Sequence, residues 1–348
     1  MEDAFTTLQD YLAAWARGDA RRTAIGETLL AITDGARAIA TIIARGSLAG
    51  ALAATRGSNS DGDAQKELDL RANDALIETL ARAPVYAFAS EELEDPVTLN
   101  DKGSLCVALD PLDGSSNIEN NIGLGTIFSV LPAPLDKGDL VAAFLRPGCE
   151  QVAAGYVLYG ASTLLVLTVG EGVCIFTLDP ERRVFCLTAR HVQIAPHARE
   201  FAINAANYRH WDARVRQYVD DCLAGADGPR EEDCNMRWIA SLVAECHRIL
   251  MRSGVYLYPA DRRAGYEAGR LRLVYEANPI SWLMEEAGGA ATTGAGRILD
   301  VVPSAIHQRI PFIFGARSEV ARIARYLAGP LPLGERSPLF QRRGLFTA

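Results

Sequence analysis

The sequence predicts an α/β protein in which helices pack on a large sheet and a second, smaller α/β unit follows. Two stretches, 29–43 and 68–80, carry apolar residues at three- and four-residue steps, which indicates amphipathic helices. Seven short apolar runs lie between residues 85 and 176, several of them separated by Gly or Pro, a pattern typical of closely spaced strands. Beyond about residue 190, helical patterns alternate with strand patterns. Together these observations predict two α/β units.

The elements follow from these patterns in chain order. The first half begins with the two helices, and Asp63 is a candidate N-cap of the second. Strands are predicted at 85–89, 105–109, 127–131, 140–145, 152–158, 163–169 and 173–176. The second half is predicted to hold helices over 239–250, 281–287 and 319–327, and strands over 271–275 and 311–314. We therefore predict an N-terminal domain over residues 1–190, a C-terminal domain over 191–330 and a loosely held tail over 331–348.

The composition argues against several classes of protein. The chain has 348 residues and a formal net charge of −8, whereas proteins that bind nucleic acid gain from an excess of Lys and Arg. Its seven cysteines are scattered and form no CxxC pair, which argues against a zinc site or a disulfide framework. No apolar run reaches the ~18 residues of a membrane span, and the first residues lack a secretion signal. We expect a soluble, cytoplasmic protein without a nucleic-acid or membrane partner.

The most informative segment is the run over residues 105–117. A short apolar strand ends in two carboxylates, Asp110 and Asp113, and the small residues Gly114, Ser115 and Ser116 follow at once. Mg²⁺ prefers oxygen ligands and usually shares them with substrate phosphates, while the exposed amides of a turn or helix start bind those phosphates. One segment therefore supplies both halves of a metal-assisted phosphate site.

Further carboxylates are predicted to converge on the same place. Three apolar runs, 85–89, 105–109 and 271–275, each lead into an acid, and ligands of helix-flanked sheets bind at the carboxyl ends of strands. Clustered carboxylates repel one another unless a cation or a proton intervenes, so this number of acids predicts divalent metals. The acids concerned are Asp63, Asp69, Glu91, Glu92, Asp110, Asp113 and Glu276.

The chemistry that fits this set is phosphoryl transfer to water. Two metal ions ~3.5–4 Å apart hold the attacking and leaving oxygens, and a nearby free carboxylate accepts the proton of the water. Asp69 and Glu92 are the candidates for that proton acceptor. Taken singly, each feature has a simpler interpretation: the sequence DPLDG is also typical of an Asx turn, and Glu91-Glu92 of a solvated surface. The alternative to an enzyme is a non-catalytic protein that senses phosphate or binds a partner. The full set of acids argues against this alternative, because a protein that only binds phosphate needs no spare proton acceptor.

Residues 109–118, LDPLDGSSNI, resemble the signature of class 1 fructose-1,6-bisphosphatases. The aspartate turn alone also fits the wider superfamily that includes inositol monophosphatase, but motifs in the second half narrow the resemblance to the first family. Further stretches resemble that family in order along the chain: 62–63 with Asp69, 90–92, 125–128, 257–259, 271–279, 288–294 and 303–309.

The resemblance implies a layered α/β/α/β/α sandwich, a homotetramer and cleavage of the 1-phosphate of fructose 1,6-bisphosphate, a reaction of gluconeogenesis and carbon fixation. It implies two or three Mg²⁺ per site, with Mn²⁺ or Zn²⁺ in some members. The implied metal ligands are Asp63, Glu91, Asp110, the carbonyl of Leu112, Asp113 and Glu276.

The resemblance also assigns roles around the substrate. Asp69 with Glu92 resembles the pair that activates water. Asp113 and the amides of Gly114, Ser115 and Ser116 resemble the cradle of the departing phosphate. Contacts to the sugar and its other phosphate are implied for Asn204, Tyr258 and Arg270, and Arg237 resembles the arginine that reaches the site of a neighbouring subunit.

Five residues depart from the family pattern. Asn207 and Trp238 stand where animal members have tyrosines that contact the distal phosphate, which leaves sedoheptulose 1,7-bisphosphate, or both sugars, as the alternative substrate. Arg270 replaces a lysine and offers a planar, bidentate grip. Ser104-Leu105 replaces the Lys-Tyr pair of the family's AMP site, so we expect weak or absent inhibition by AMP. Half-maximal inhibition at low micromolar AMP would contradict this.

Overall fold

A computed structural model of the chain describes residues 5–58 and 64–330. Asp63 and the predicted tail over 331–348 lie outside the described residues. Within these ranges, no helix has both the length and the apolar character needed to cross a bilayer.

The described residues contain seven α-helices: α1 (Leu8–Ala16), α2 (Ala20–Arg45), α3 (Glu67–Leu80), α4 (Ala213–Ala224), α5 (Leu242–Arg252), α6 (Asn278–Glu286) and α7 (Arg317–Ala328). The first predicted helix corresponds to α2, which begins where Asp19 accepts a hydrogen bond from the amide of Arg22. Helices α2 and α3 approach each other closely at Gly35, where a Cβ atom would lie 2.8 Å from Leu76 Cδ2. The two helices predicted from the apolar spacing over 29–43 and 68–80 are thus confirmed, and they pack against each other.

The described residues also contain seventeen strands: β1 (Thr55–Ser58), β2 (Ala64–Lys66), β3 (Val85–Ser90), β4 (Val97–Thr98), β5 (Leu105–Asp113), β6 (Leu124–Pro132), β7 (Ala153–Tyr159), β8 (Thr163–Thr168), β9 (Val173–Asp179), β10 (Val184–Ala189), β11 (Glu200–Ala202), β12 (Asn235–Met236), β13 (Val255–Tyr258), β14 (Leu271–Arg272), β15 (Ala290–Thr292), β16 (Arg309–Ile310) and β17 (Phe312–Gly315). The large sheet has eight strands in the order β10-β9-β8-β7-β6-β5-β3-β4, and the second has five in the order β12-β11-β13-β17-β15. In the large sheet, β3 and β5 pair in parallel and their other neighbours are antiparallel.

Sheets and helices alternate in five layers. Adjacent residues of a strand face opposite sides, and Phe128 of β6 packs in the core that contains α1, α2 and α3, whereas Ile127 packs with α5 and α6. In the second sheet, Tyr256 of β13 joins the core of α5 and α6, whereas Leu257 packs against α4 and α7. The order of layers is therefore helices, large sheet, α5 with α6, second sheet, and α4 with α7, which confirms the predicted α/β/α/β/α sandwich.

One predicted strand and one helix start were wrong. Residues 140–145 form turns, in which the amide of Phe144 donates to the carbonyl of Val141. This run is apolar because it packs with a small core cluster that includes Tyr275. Helix α3 begins at Glu67 with Lys66 as its N-cap, and not at Asp63, because residues 64–66 pair with β1 as strand β2.

A second predicted strand, over 271–275, ends after two residues. Leu273–Ala277 forms a π-helical turn that runs directly into α6, so Glu276 lies on this turn and does not follow a strand. The turn is buried like the strands around it, and an apolar run alone does not distinguish a buried strand from a buried helical turn. The strand β10 was not predicted.

Candidate metal and phosphate site

Strand β5 brings two carboxylates to one point because it is irregular. Residues three apart on a regular strand face opposite sides of the sheet. Between Asp110 and Asp113, however, the pairing of β5 with β6 shifts, so that three steps on β5 match two on β6. This is the geometry of a β-bulge, which redirects side chains. The carbonyl of Pro111, inside the bulge, accepts a hydrogen bond from Thr126 Oγ1 at 2.8 Å.

The π-helical turn supplies the third carboxylate. One oxygen each of Asp110, Asp113 and Glu276 lie within 4.8 Å of one another. The backbone amide of Arg272 donates to Glu276 Oε2, which holds the side chain against its own turn. The three residues are 2%, 9% and 6% exposed, so the cluster is almost closed to solvent. We refer to these three side chains as the carboxylate cluster.

The carboxylate cluster is electrostatically strained unless a positive charge joins it. Burial, followed by the charges of Glu91, Glu276 and Asp113, raises the pKa of Asp110 well above its usual value. Burial and Glu91 raise the pKa of Glu276 to about 8, although Arg272 opposes the shift. The pKa of Asp113 is also raised, chiefly by burial. Buried acidic oxygens at this spacing are the donor set that a hard divalent cation requires, so the residues fit a metal site.

Glu91 lies beside the carboxylate cluster. Its amide donates to the carbonyl of Leu109 at 3.2 Å, which fixes the end of β3 against β5. Its Oε1 lies 3.8 Å from Nη2 of Arg272, the residue whose amide holds Glu276. The charge of Glu91 raises the pKa values of Asp110 and Glu276, so the three acids share one electrostatic environment.

Asp69 is the most unusual of the remaining acids. Its Oδ2 accepts a hydrogen bond from the amide of Lys66 at 2.7 Å, whereas its buried Oδ1 has no hydrogen-bond partner among the described residues. Burial raises the pKa of Asp69 to about 6, the Lys66 amide opposes the shift, and Glu91 adds to it. A carboxyl group with a pKa near neutrality is suited to accept and return a proton.

Glu92 is held in place by neighbours on both sides. Its Oε2 accepts a hydrogen bond from Gln65 Nε2 at 2.6 Å. Its amide donates to Ser90 Oγ at 3.2 Å, and Ser90 Oγ donates to Asn73 Oδ1 of α3 at 2.7 Å. The loop that carries Glu91 and Glu92 is thereby tied to the helix that carries Asp69.

The turn after β5 combines a glycine of positive φ with a short 3₁₀ turn. Gly114 has φ +80°, a conformation that side chains disfavour, and a Cβ atom there would lie 3.2 Å from Ser241 Cβ. Ser115–Asn117 then form a 3₁₀ turn, and the first amides of such a turn have no partner within it. The Nζ atom of Lys66 donates to the carbonyl of Ser115 at 2.9 Å, which places a positive charge beside the turn.

The second half of the chain fixes Asp113 from behind. Asp113 Oδ2 accepts hydrogen bonds from Ser241 Oγ at 2.8 Å and from the amide of Val243 at 3.0 Å. Ser241 is the N-cap of α5, so the positive end of that helix faces the carboxylate. Sequence reasoning missed Ser241, because a serine before an apolar helix indicates only a cap.

The residues predicted to contact the sugar end lie near one another. Asn204 and Tyr258 line a small cavity together with Asn207. Burial raises the pKa of Tyr258, and the charge of Arg270 opposes the shift. Arg270 also donates to the hydroxyl of Tyr266.

Two further side chains border this region. Trp238 stacks on Tyr256, with ring centroids 5.9 Å apart and an angle of 10°, and tilts against Tyr258 at 6.2 Å. The Arg237 side chain is 48% exposed, and its Nε lies 3.6 Å from Glu200 Oε1.

Comparison with known proteins covers nearly the whole chain. The family descriptions "Fructose-1-6-bisphosphatase, N-terminal domain" and "Fructose-1-6-bisphosphatase, C-terminal domain" match residues 10–190 and 194–328. The "Fructose-1,6-bisphosphatase class 1" of Rhizobium meliloti (strain 1021) is 54% identical over 347 residues, which cover 98% of this chain and 99% of that protein. One from Xanthobacter autotrophicus is 54% identical over 342 residues, 98% of this chain and 92% of that protein.

Solved structures agree with the sequence comparisons. The holo form of Leishmania major fructose-1,6-bisphosphatase superposes with a TM-score of 0.86 at 33% identity and covers 94% of this chain and all of that one. The apo form of the same protein gives a TM-score of 0.83 at 32% identity, with the same coverage. The two family descriptions together match residues 10–190 and 194–328, and relatives are more than 50% identical to this chain. The chain therefore belongs to the fructose-1,6-bisphosphatase family.

Proposed function

We propose that this chain is a metal-dependent phosphatase that hydrolyses the 1-phosphate of fructose 1,6-bisphosphate to fructose 6-phosphate and inorganic phosphate. The observation that carries the proposal is the carboxylate cluster directly beside the Gly114 turn, in a chain of this family. Acids that repel one another next to a phosphate cradle are the arrangement that metal-assisted phosphoryl transfer requires.

We assign the metal site to the carboxylate cluster together with Glu91 and the carbonyl of Leu112, and a further metal to Asp63. The bound ions supply Lewis acidity for the phosphoryl oxygens and a lowered pKa for a water molecule. Mg²⁺ fits an all-oxygen donor set best, at two or three ions per site, with Mn²⁺ or Zn²⁺ as substitutes.

Asp69 is the proposed proton acceptor. With a pKa of about 6 it is largely ionised near neutral pH, and its Oδ1 has no hydrogen-bond partner within residues 5–58 and 64–330. Glu92, fixed by Gln65, is the second member of the pair and orients the water from the opposite loop. Because the amide of Lys66 binds Asp69 Oδ2, the proton is accepted at Oδ1.

The amides of Gly114, Ser115 and Ser116 are proposed to hold the departing phosphate, with Asp113 at the start of the turn. Lys66 adds positive charge at the same turn through its contact with the Ser115 carbonyl. These groups are in place before substrate arrives, so little reorganisation accompanies the reaction.

At the distal end, Asn204, Tyr258 and Arg270 are proposed to bind the sugar and its second phosphate. Arg270 offers two parallel N–H donors to the phosphate oxygens. We further propose that Arg237 reaches the site of a neighbouring subunit in a homotetramer; its half-exposed side chain supports this role.

One observation favours a second substrate. Trp238 stacks on Tyr256 at the position where a phenolic hydroxyl is expected to contact the distal phosphate. Indole offers one N–H and no hydroxyl, so the grip on that phosphate differs. Sedoheptulose 1,7-bisphosphate is therefore the alternative substrate, and the ratio of kcat/KM for the two sugars decides between them.

The test of the proposal is phosphate release from fructose 1,6-bisphosphate with Mg²⁺ and with EDTA, with inositol 1-phosphate as the comparison substrate. We expect release that depends on metal and favours the sugar bisphosphate. Absence of release with Mg²⁺, Mn²⁺ and Zn²⁺ alike contradicts the assignment, as does equal activity in EDTA.

A further inference from the structure

We propose that His307 is a positioning residue that joins the Glu91–Glu92 loop to the Glu276 turn and thereby sets the metal affinity of the site. The inference rests on the proposed function, since it concerns the same metal site. It follows from a chain of two hydrogen bonds that links two acid-bearing segments through one imidazole ring.

The imidazole of His307 uses both of its nitrogens. Nδ1 lies 2.8 Å from the hydroxyl of Tyr275, and Nε2 lies 3.1 Å from the backbone carbonyl of Glu94. A carbonyl oxygen can only accept, so Nε2 carries the proton and donates to Glu94. In the tautomer that carries its hydrogen on Nε2, Nδ1 accepts a hydrogen bond from the hydroxyl of Tyr275. The ring is thus fixed in both orientation and tautomer by two segments that are distant in sequence.

Tyr275 transmits the position of His307 to the carboxylate cluster. It is the residue immediately before Glu276 on the π-helical turn, and its side chain is fully buried. Its ring meets the imidazole edge to face, with centroids 5.9 Å apart. Burial, followed by the charge of Glu91, raises the pKa of its hydroxyl, and the charges of Glu276 and Asp110 add to the shift while Arg272 opposes it.

Glu94 transmits the position of His307 to the opposite loop. The first residue of this loop, Glu91, is fixed by the hydrogen bond that its amide donates to the carbonyl of Leu109, and the amide of Leu93 donates to the carbonyl of Ser90. Glu94 itself is exposed, so the hydrogen bond from His307 Nε2 to its backbone carbonyl anchors the loop at its solvent side.

His307 is itself anchored. The amide of Leu273, at the start of the π-helical turn, donates to the carbonyl of Gln308 at 2.8 Å, and β14 pairs with β16 just beyond. Ile306 packs in the same small core cluster as Tyr275. Since the backbone on both sides of the imidazole is fixed, a loss of its hydrogen bonds releases the loop and not the histidine.

The consequence is specific to metal binding. Partners that orient the ligands of a metal, without touching it, typically change metal affinity by about 10–100-fold when they are removed. Here Glu91 and Glu276 come from different segments, and His307 is a direct polar bridge between those segments. Without it, the two segments keep their folds and the contact between Arg272 and Glu91, but lose one of the contacts that fix their separation.

The experiment compares four variants of the full-length protein. His307→Leu removes both hydrogen bonds, Tyr275→Phe removes one and keeps the ring, and His307→Gln keeps an amide donor for the Glu94 carbonyl. His197→Gln, at an exposed histidine, is the matched control. The readouts are the dissociation constant for Mn²⁺ by titration calorimetry without substrate, and the thermal midpoints with and without Mn²⁺.

We expect about tenfold weaker Mn²⁺ binding for His307→Leu, a smaller loss for His307→Gln, and no change for His197→Gln. Tyr275→Phe is expected to weaken Mn²⁺ binding in a folded protein, and it decides the matter should His307→Leu fail to fold. Unchanged Mn²⁺ affinity in both, with thermal midpoints lowered equally in the presence and absence of Mn²⁺, overturns the proposal. If the unmodified protein releases no phosphate, the proposed function fails, whereas the Mn²⁺ titrations still test the role of His307.

Discussion

The two segments that carry the carboxylate cluster, β5 and the π-helical turn, make an instructive comparison. Both are apolar runs that lead into an acid, and both are buried. On β5 a bulge inserts one residue into the strand and turns Asp110 and Asp113 to one point. On the second segment the π-helical turn is closed by a hydrogen bond from the amide of Asn278 to the carbonyl of Leu273, which spans one residue more than an α-helical turn, and it presents Glu276. Different elements thus reach the same site by the same device, one residue more than the regular period allows.

The difference between the segments lies in their support. Asp113 is held by Ser241 and by the start of α5, both from the second half of the chain. Glu276 is held by the amide of Arg272, the residue that immediately precedes its own turn. We therefore expect changes on β5 to disturb the contact between the halves, and changes on the turn to remain local.

The largest effect is expected for removal of a carboxylate. Asp113→Ala and Glu276→Gln each remove a charge that the proposed metal requires, so kcat/KM for fructose 1,6-bisphosphate should fall by roughly 10³-fold, or about 4 kcal/mol. Asp74→Asn, at an exposed acid of α3, is the control and should change little. Asp113→Ala should also lower the thermal midpoint, unlike Glu276→Gln. Activity within tenfold of the unmodified enzyme in either carboxylate variant contradicts the site.

The next effect concerns pH and metal removal. The pKa of Glu276, raised by burial from 4.5 to about 8, means that the folded protein binds this proton more tightly than the unfolded one. Its contribution to stability is complete below pH 4.5 and is lost as the pH rises through about 8. In EDTA the thermal midpoint should fall as the pH rises from 4.5 to about 8, and added Mg²⁺ should restore it.

The same titration can be repeated with one acid removed from each of the two segments. Glu276→Gln should flatten the pH dependence of the metal-free protein, and Asp110→Asn should do so as well because its acid is also shifted upward. A metal-free midpoint that stays constant from about pH 5 to pH 8 in the unmodified protein would show that the acids are not crowded together.

A smaller effect is expected at the cradle on β5. Gly114→Ala introduces a Cβ atom at φ +80° and 3.2 Å from Ser241 Cβ, which should cost about 1–2 kcal/mol in free energy of unfolding and raise KM. Gly296→Ala is the matched control, because open space surrounds that position. Equal denaturant midpoints for the two variants would argue against the constraint at Gly114.

The smallest effect is expected at the distal end, away from both segments. Arg270→Gln removes charged hydrogen bonds to the second phosphate, so KM should rise about tenfold while kcat changes less. Arg82→Gln, at an exposed arginine, is the control. Steady-state kinetics measure both constants, and a loss confined to kcat would place Arg270 in another role.

Much of the fold was predictable because periodicity reports burial. The helices α2 and α3, most strands of the large sheet, and the layered sandwich followed from apolar spacing and from the family motifs. The run over 140–145 and the end of the strand at Arg272 were not predictable, because apolar character does not reveal which backbone groups pair. The bulge of β5 depends on its register with β6, which no local pattern records.

The site was predictable to the extent that its residues form motifs. The motif at 109–118 and the one at 271–279 supplied the three acids that the structure brings within 4.8 Å. Their roles, and those of Asp69, Glu92 and the sugar contacts, remain predictions. Ser241, Lys66 and His307 were not identified as partners of the site, since each acts through a contact between segments that are far apart in sequence.

Anomalous scattering from a crystal of the protein with Mn²⁺ tests most directly whether β5 and the π-helical turn form one metal site. We expect a peak at about 2 Å from carboxylate oxygens of Asp110, Asp113 and Glu276 together, with the Gly114 turn facing it. A peak bound by the β5 acids alone, with Glu276 turned away, would contradict the claim that two irregular segments form one metal site.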